Sequence, residues 1–185
     1  SSVTQLVVLT GPSGVGKGTL KKVLLDELDL AESISATTRD PREGETDGVE
    51  YHFLTRERFA VLQEEGAFLE SAEFAGNLYG TLLSEVTERS DGSRAVVLEI
   101  ETLGAQQVRE KVPDAILVFI APPDISELRK RLEGRGTDST EHIERRLAEA
   151  EREIELASSF DCVIVNDDLA QAAAQLVAEV RSRLD

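Results

Sequence analysis

The 185-residue chain is predicted to be an α/β protein built on a doubly wound parallel sheet. Three observations lead there. Strand-length apolar runs at 6–9, 95–100, 115–120 and 162–165 alternate with helical patterns, as they do when parallel strands are joined by crossover helices. A glycine loop, Gly11-Pro12-Ser13-Gly14-Val15-Gly16-Lys17-Gly18, lies between the first run and a helix. Aromatic residues make up only 4% of the chain, so the core must come from Leu, Val, Ile and Ala, which suits strands covered on both faces.

In order, Leu6-Val7-Val8-Leu9 reads as a short buried strand, and Leu20, Val23, Leu24 and Leu28 recur at helical spacing in a helix over 18–28. Between Ser33 and Ser84 the rhythm changes to short polar-rich strands with clustered Gly, Pro, Asp and Arg, and one helix near 56–65. That segment is expected to be an inserted substrate-binding lobe. The core then resumes with strands at 95–100 and 115–120 and helices over 102–111 and 125–133, the second opened by the capping box Asp124-Ile125-Ser126-Glu127. Gly134-Arg135-Gly136-Thr137-Asp138-Ser139 is too polar to pack and is expected to form a lid over about 134–146. A helix over 140–158 carries the buried stripe Ile143, Leu147, Ala150 and Ile154, and a strand at Cys162–Val165 leads to a last helix over 169–184. One domain is expected, with its core at 1–32 and 85–185 and its insert at 33–84.

The net charge of −16 argues against DNA, RNA or an anionic membrane as a main partner, since each rewards a basic face. No apolar run is long enough to cross a membrane. The single cysteine, Cys162, sits in an apolar strand where a free thiol acts as a small hydrophobe, so a reducing cytoplasm is the expected location. Monomer and weak homo-oligomer both remain open.

The glycine loop is read as a phosphate cradle. Its backbone N–H groups can wrap a phosphate, the following helix N-terminus favours an anion, and Lys17 can bridge the transferring phosphates. Nothing in the loop's sequence suggests a structural partner for that ammonium. The loop departs from G-x-x-x-x-G-K-[ST] in its last place, where Gly18 replaces a hydroxyl and Thr19 follows one residue later. The loop speaks for phosphate and not for a particular nucleotide.

The run from Ser35-Ala36-Thr37-Thr38-Arg39-Asp40-Pro41-Arg42 through Glu43-Gly44-Glu45-Thr46-Asp47-Gly48-Val49-Glu50-Tyr51-His52-Phe53 resembles the hallmark segment of guanylate kinases. The resemblance continues through Phe68-Leu69-Glu70, Gly76–Thr81, Arg131–Thr137 and Asn166-Asp167-Asp168, and so spans nearly the whole chain. It implies a P-loop kinase core and ATP-dependent conversion of GMP to GDP, with dGMP a candidate second acceptor. It further implies that Arg39, Arg42, Tyr51 and Tyr79 hold the GMP phosphate, and that Ser35, Glu45, Glu70, Thr81, Glu99 and Glu101 complete the GMP site. Guanidinium forks match phosphate oxygens; the competing reading pairs Arg39 and Arg42 with Glu43 and Glu45 on the loop surface.

Guanine offers adjacent N1–H and N2–H₂ donors beside an O6 acceptor. Glu70 with Ser35 and Thr81 supplies a matching carboxylate and hydroxyls, and a buried carboxylate facing adenine would lack those donors. Glu99 and Glu101 flank the end of the 95–100 strand at period two and point to one side, where guanylate kinases more often show Asp. Their separate roles stay open. Mg²⁺ is expected to be held by ATP phosphates and water with no direct protein ligand, helped from outside by Thr19, Glu99 or Glu101. Adenylate kinases resemble this chain in also carrying Gly-Lys-Gly-Thr, so the departure at Gly18 does not imply inactivity. Arg131, Arg135 and Arg146 on or beside the lid would act as arginine fingers, Arg131 also touching ATP. Arg145 and Arg152 read as surface residues, and His52 and His142 as structural. The resemblance puts Asn166-Asp167-Asp168 near the adenine of ATP, with Asn166 as the contact, whereas the triplet's place before the last helix also suits an N-cap. Two rivals remain: a protein-interaction module of the same fold, and a kinase for another small phosphorylated acceptor.

Overall fold

Leu6 to Leu9 are apolar on both faces of their strand, which requires cover on both sides. The computed structural model describes residues 5–12, 14–124, 129–130, 133–134, 136 and 139–184, with the backbone alone at 150, 153, 154 and 156. Its elements, in order, are β1 (Gln5–Thr10), α1 (Lys17–Leu28), β2 (Ala31–Glu32), β3 (Ala36–Thr37), β4 (His52–Phe53), α2 (Arg56–Glu64), β5 (Phe68–Phe74), β6 (Asn77–Leu82), α3 (Leu83–Ser90), β7 (Ala95–Glu99), α4 (Thr102–Lys111), β8 (Ile116–Ala121), α5 (Thr140–Leu156), β9 (Cys162–Val165) and α6 (Leu169–Arg183).

β1 is the centre of a five-stranded sheet ordered β2-β7-β1-β8-β9, parallel throughout. On one face Leu20 and Leu24 of α1 and Leu176 and Val180 of α6 pack with Val7, Leu9, Val118 and Ile120. On the other, Ala105 and Val108 of α4 and Leu69 of β5 pack with Leu6, Val8, Val96, Leu98 and Leu117. Both faces are covered, as the doubly wound reading requires.

The segment expected to be an insert forms its own four-stranded sheet, ordered β4-β3-β6-β5, with a small core of Ala36, Phe59 and Phe68. The two rings stack at 4.4 Å between centroids. Two elements carry no sequence signal. β2 is too short to show a period, and α3 lacks an apolar stripe because it buries a carboxylate instead. Glu85 is 5% exposed. It accepts hydrogen bonds from the Ile34 amide (3.1 Å) and Arg89 Nε (2.9 Å), and pairs with His52 Nε2 (3.0 Å). Burial works against its charge, but Arg89, His52 and the Ile34 amide more than offset it and hold Glu85 below the usual carboxylate range. This cluster joins the second sheet to the core and gives His52 its structural role.

Ile143 and Leu147 are buried as the stripe on α5 predicts, while the side chains of Ala150 and Ile154 lie outside the described residues. So do Ile125–Leu128, which include every residue of the capping box except Asp124, and part of the lid segment. No helix among the described residues is long and apolar enough to cross a membrane.

Cys162 is half-buried at the start of β9, and burial, its main cause, pushes the thiol up to about 11. The thiolate is the reactive form. We therefore expect native protein at pH 8 to react with a maleimide far more slowly than urea-denatured protein, as followed by mass spectrometry.

Candidate functional site

At the carboxyl edge of the central sheet a cavity of about 180 Å³ opens between the glycine loop and the second sheet. Ligands bind at this edge in open α/β folds. Lys17, Ser35, Tyr51, Glu70, Tyr79, Glu99 and Glu101, seven residues singled out in the sequence, line it together with Ala72, Phe74 and Ile100. The first two of those additions had a signal: with Glu70 they repeat at period two on β5, the face of a strand turned to one side.

The glycine loop begins where β1 ends, and α1 starts without a side-chain cap. Among the described residues its first N–H groups therefore have no intrahelical or side-chain capping partner, which is what an anion site needs; α2, by contrast, is capped by Thr55, which accepts from the Arg58 amide. Gly16 has φ 91°, and a Cβ on it would lie 2.8 Å from Asn166 Nδ2, so both backbone and space require glycine there. Asn166 is buried and donates to the Val15 carbonyl at 2.8 Å. It braces the loop from beneath, and the N-cap expected from the triplet 166–168 is supplied by Asp168, whose side chain accepts from the Gln171 amide. Lys17 Nζ donates to the Gly11 carbonyl at 2.5 Å, a structural partner that the sequence did not suggest. Gly11, Pro12 and the fully buried Val15 fix the rest of the loop; Ser13 lies outside the described residues.

Gly18 and Thr19 are exposed in the first turn of α1. A Cβ at position 18 would stand 4.0 Å from Glu99 Oε1, which brings a carboxylate to the place where the usual hydroxyl is missing. Lys21, unremarked in the sequence, orients Glu99 at 3.2 Å and Glu32 at 2.8 Å. Burial opposes the Lys21 charge, yet the two carboxylates hold its pKa above the ordinary value. Glu101 is the N-cap residue of α4, just past the end of β7.

Arg39 and Glu45 form a bidentate pair, Nη1 to Oε1 and Nη2 to Oε2, each at 3.0 Å. Neither residue lines the cavity, which Arg39 adjoins through Tyr51; the carboxylate takes the terminal nitrogens end-on and leaves the Nε edge of the guanidinium to other partners. Glu45 also accepts from the amide of the exposed Arg42 at 2.7 Å. The hydrogen bonds from Arg39 and the Arg42 amide hold Glu45 below the usual carboxylate range. The Arg39 guanidinium lies 5.1 Å from the centre of the Tyr51 ring, and Tyr51 meets Tyr79 edge-on at 6.0 Å. Burial keeps the Tyr51 phenol protonated by raising its pKa.

Glu70 is 4% exposed. Its Oε1 accepts from the Thr81 hydroxyl at 2.7 Å. That hydroxyl has one hydrogen to give, so Thr81 serves the carboxylate, and Ser35 is the hydroxyl that lines the cavity. Burial raises the Glu70 pKa, against the Thr81 hydrogen bond and the Lys111 charge.

Arg131 and Arg135 lie outside the described residues. Arg146, on α5, donates through Nε to His142 Nε2 at 3.1 Å; Arg145 and Arg152 are exposed on the same helix. Among the described residues no group of three or more His, Cys, Asp or Glu is placed to hold a metal.

Comparison with known proteins agrees over nearly the full length. A family model described as guanylate kinase matches residues 3–183. A guanylate kinase of Synechococcus sp. (strain CC9311) is 53% identical over 176 residues, 95% of this chain and 93% of its own. One from Enterococcus faecalis is 48% identical over 185 aligned positions, 97% of this chain and 91% of its own. The crystal structure of guanylate kinase from Anaplasma phagocytophilum superposes with a TM-score of 0.79 at 32% identity, covering 100% of this chain and 88% of that one. A shikimate kinase from Bacteroides thetaiotaomicron, at 16% identity and a TM-score of 0.54, shares the fold alone. With the loop lysine, Tyr51, Tyr79 and the buried Glu70 carboxylate on one cavity, and with relatives this similar over this much of its length, the chain belongs to the guanylate kinase family.

Proposed function

We infer that the chain moves the γ-phosphoryl group of ATP to the phosphate of GMP, giving ADP and GDP, with dGMP as a second acceptor. The observation that carries this reading is one cavity with Lys17 among its lining residues, a buried carboxylate, Glu70, on its wall and Tyr51 and Tyr79 beside them. In this reading an oxygen of the GMP phosphate attacks the γ-phosphorus in line, the bond to the bridging oxygen breaks, and ADP leaves with that oxygen. No covalent enzyme intermediate is needed, because positioning and neutralisation of charge supply the catalysis.

Roles follow from surroundings. The glycine loop and the N-terminus of α1 cradle the ATP phosphates, and Lys17 exchanges the Gly11 carbonyl for a phosphate oxygen. Arg39, held by Glu45 and stacked on Tyr51, offers its Nε edge to the acceptor phosphate, with Arg42, Tyr51 and Tyr79 beside it. Glu70 accepts from the guanine N1–H and N2–H₂, and Ser35 donates to O6. Arg131, Arg135 and Arg146 complete the charge on the lid side. The donor set fits a Mg²⁺ carried by ATP phosphates and water, with Glu99, drawn up to Gly18, and Thr19 around its water shell; the ion would spread the phosphate charge. A lone thiol kept protonated suits a reducing compartment, and we assign the reaction to the cytoplasm, by a monomer or weak homo-oligomer.

A coupled assay of ADP release over GMP, AMP, CMP and UMP tests the reading. GMP should exceed each of the others by at least about a hundredfold in kcat/KM, a floor below the roughly 10⁴–10⁵ by which a site built to hydrogen-bond a substrate group rejects analogues that lack it. Absence of GMP-dependent ADP release from folded protein would overturn it.

A further inference from the structure

Glu70 is backed by a helix. Positions 104, 107 and 111 of α4 share one helical face, and all three touch β5. Gly104 is where the carboxylate rests: a Cβ built there would lie 2.3 Å from Glu70 Oε2 and 3.0 Å from its Cδ. One turn on, Gln107 accepts from the Ser71 amide at 3.0 Å and donates to the Ser71 carbonyl at 2.8 Å, pairing with the strand much as another strand would. Lys111 donates to the carbonyls of Leu69 (2.7 Å) and Phe68 (3.3 Å), where the register of β5 against β6 slips between Phe68 and Glu70.

Gly104 has ordinary helical backbone. No positive φ demands glycine, and Ala is the better helix former. The reason for glycine is therefore the neighbour and not the chain.

We propose that Gly104 determines base specificity: its missing side chain sets where the Glu70 carboxylate lies, and Gln107 and Lys111 are positioning residues that hold β5 beneath it. The proposal rests on the reading of Glu70 as the acceptor for guanine. A methyl group at 104 would push Oε2 away from the helix, and a carboxylate that has to meet two adjacent donors cannot move far without losing one of them.

The test compares Gly104→Ala, Glu70→Gln, Glu70→Asp and the double variant Gly104→Ala/Glu70→Asp. Each is assayed for kcat/KM with GMP and with IMP, which lacks the 2-amino donor, and for the KM of ATP and the melting temperature. Gly104→Ala should melt at or above the parent temperature and lose about tenfold in kcat/KM for GMP, carried mainly by KM. IMP should suffer less, so the GMP-to-IMP ratio shrinks while the KM of ATP stays put. Because the Asp carboxylate ends one methylene short of the new methyl, the double variant should lose less than the product of the two single losses.

If Glu70→Gln collapses the GMP-to-IMP ratio but Gly104→Ala leaves it unchanged, the assignment of Gly104 is wrong and that of Glu70 stands. If Glu70→Gln leaves the ratio unchanged, the reading of Glu70 fails and takes this proposal with it. Should Gly104→Ala alone not fold, the double variant decides: recovered folding supports the contact, and an unfolded double variant overturns it.

Discussion

Lys17→Met should lower kcat for GDP formation by about 10²–10³-fold while the melting temperature stays within about 4 °C of the parent. The two expectations come from different contacts of one side chain. Among the described residues Nζ makes one hydrogen bond, to the Gly11 carbonyl, and losing one ordinary bond of this kind costs about 1 kcal/mol. Met keeps the apolar stem, and the loop is shaped mainly by the left-handed backbone of Gly16, the buried Val15 and the Asn166 amide beneath it. Lys17 also lines the cavity, where its ammonium would oppose negative charge that builds on the transferring group. A coupled assay and a thermal scan on the same preparation separate the two. Parent-like turnover at an unchanged melting temperature would remove Lys17 from the transfer step; a large fall in melting temperature would make its bond to Gly11 its main purpose.

The parts of this molecule that were legible in its sequence are those written in short-range patterns. Leu6–Leu9 announces a strand covered on both faces, and the 102–111 helix is found where its spacing puts it, because local period and tertiary packing demand the same residues. The cavity wall was legible where chemistry is concentrated in one residue, as at Glu70 or Lys17. What stayed hidden depends on contacts distant in the chain. Asn166 and Val15 meet across 151 positions, and nothing near Asn166 announces a brace for the glycine loop. Gly104 is one more small residue in a helix until Glu70, from another sheet, is set against it. Lys21 reads as an ordinary surface lysine of α1 until β7 brings Glu99 alongside. α3 escaped notice because its buried residue is a carboxylate, Glu85, and patterning by hydropathy cannot see a charge whose partners lie at Ile34, His52 and Arg89.

Glu70→Gln should cost about ten- to hundredfold in kcat/KM for GMP, leave AMP much less affected, and raise stability at neutral pH or leave it unchanged. The loss for GMP follows from geometry. An amide in place of the carboxylate turns one acceptor into a donor, which meets the guanine N–H groups head-on. The stability expectation follows from linkage. Burial raises the Glu70 pKa despite the Thr81 hydrogen bond and the Lys111 charge, and the nearby Glu101 charge pushes the same way as burial. The native state therefore holds this proton more tightly than the unfolded chain, so stability falls as pH rises from the ordinary carboxylate value through the raised one. At neutral pH the wild-type protein carries that cost in full, and the variant does not. Activity has the opposite sign, because only the ionised carboxylate accepts from both guanine donors. The kcat/KM profile for GMP should thus lose activity on acidification at a pH above the usual carboxylate range. The GMP phosphate itself titrates near about pH 6, so the diagnostic quantity is the difference between parent and Glu70→Gln profiles, in which the substrate's own titration cancels. A difference that is flat with pH, together with an unchanged GMP-to-AMP ratio, would transfer the guanine-reading role to another carboxylate on the same cavity, with Glu101, the cap residue of α4, first in line.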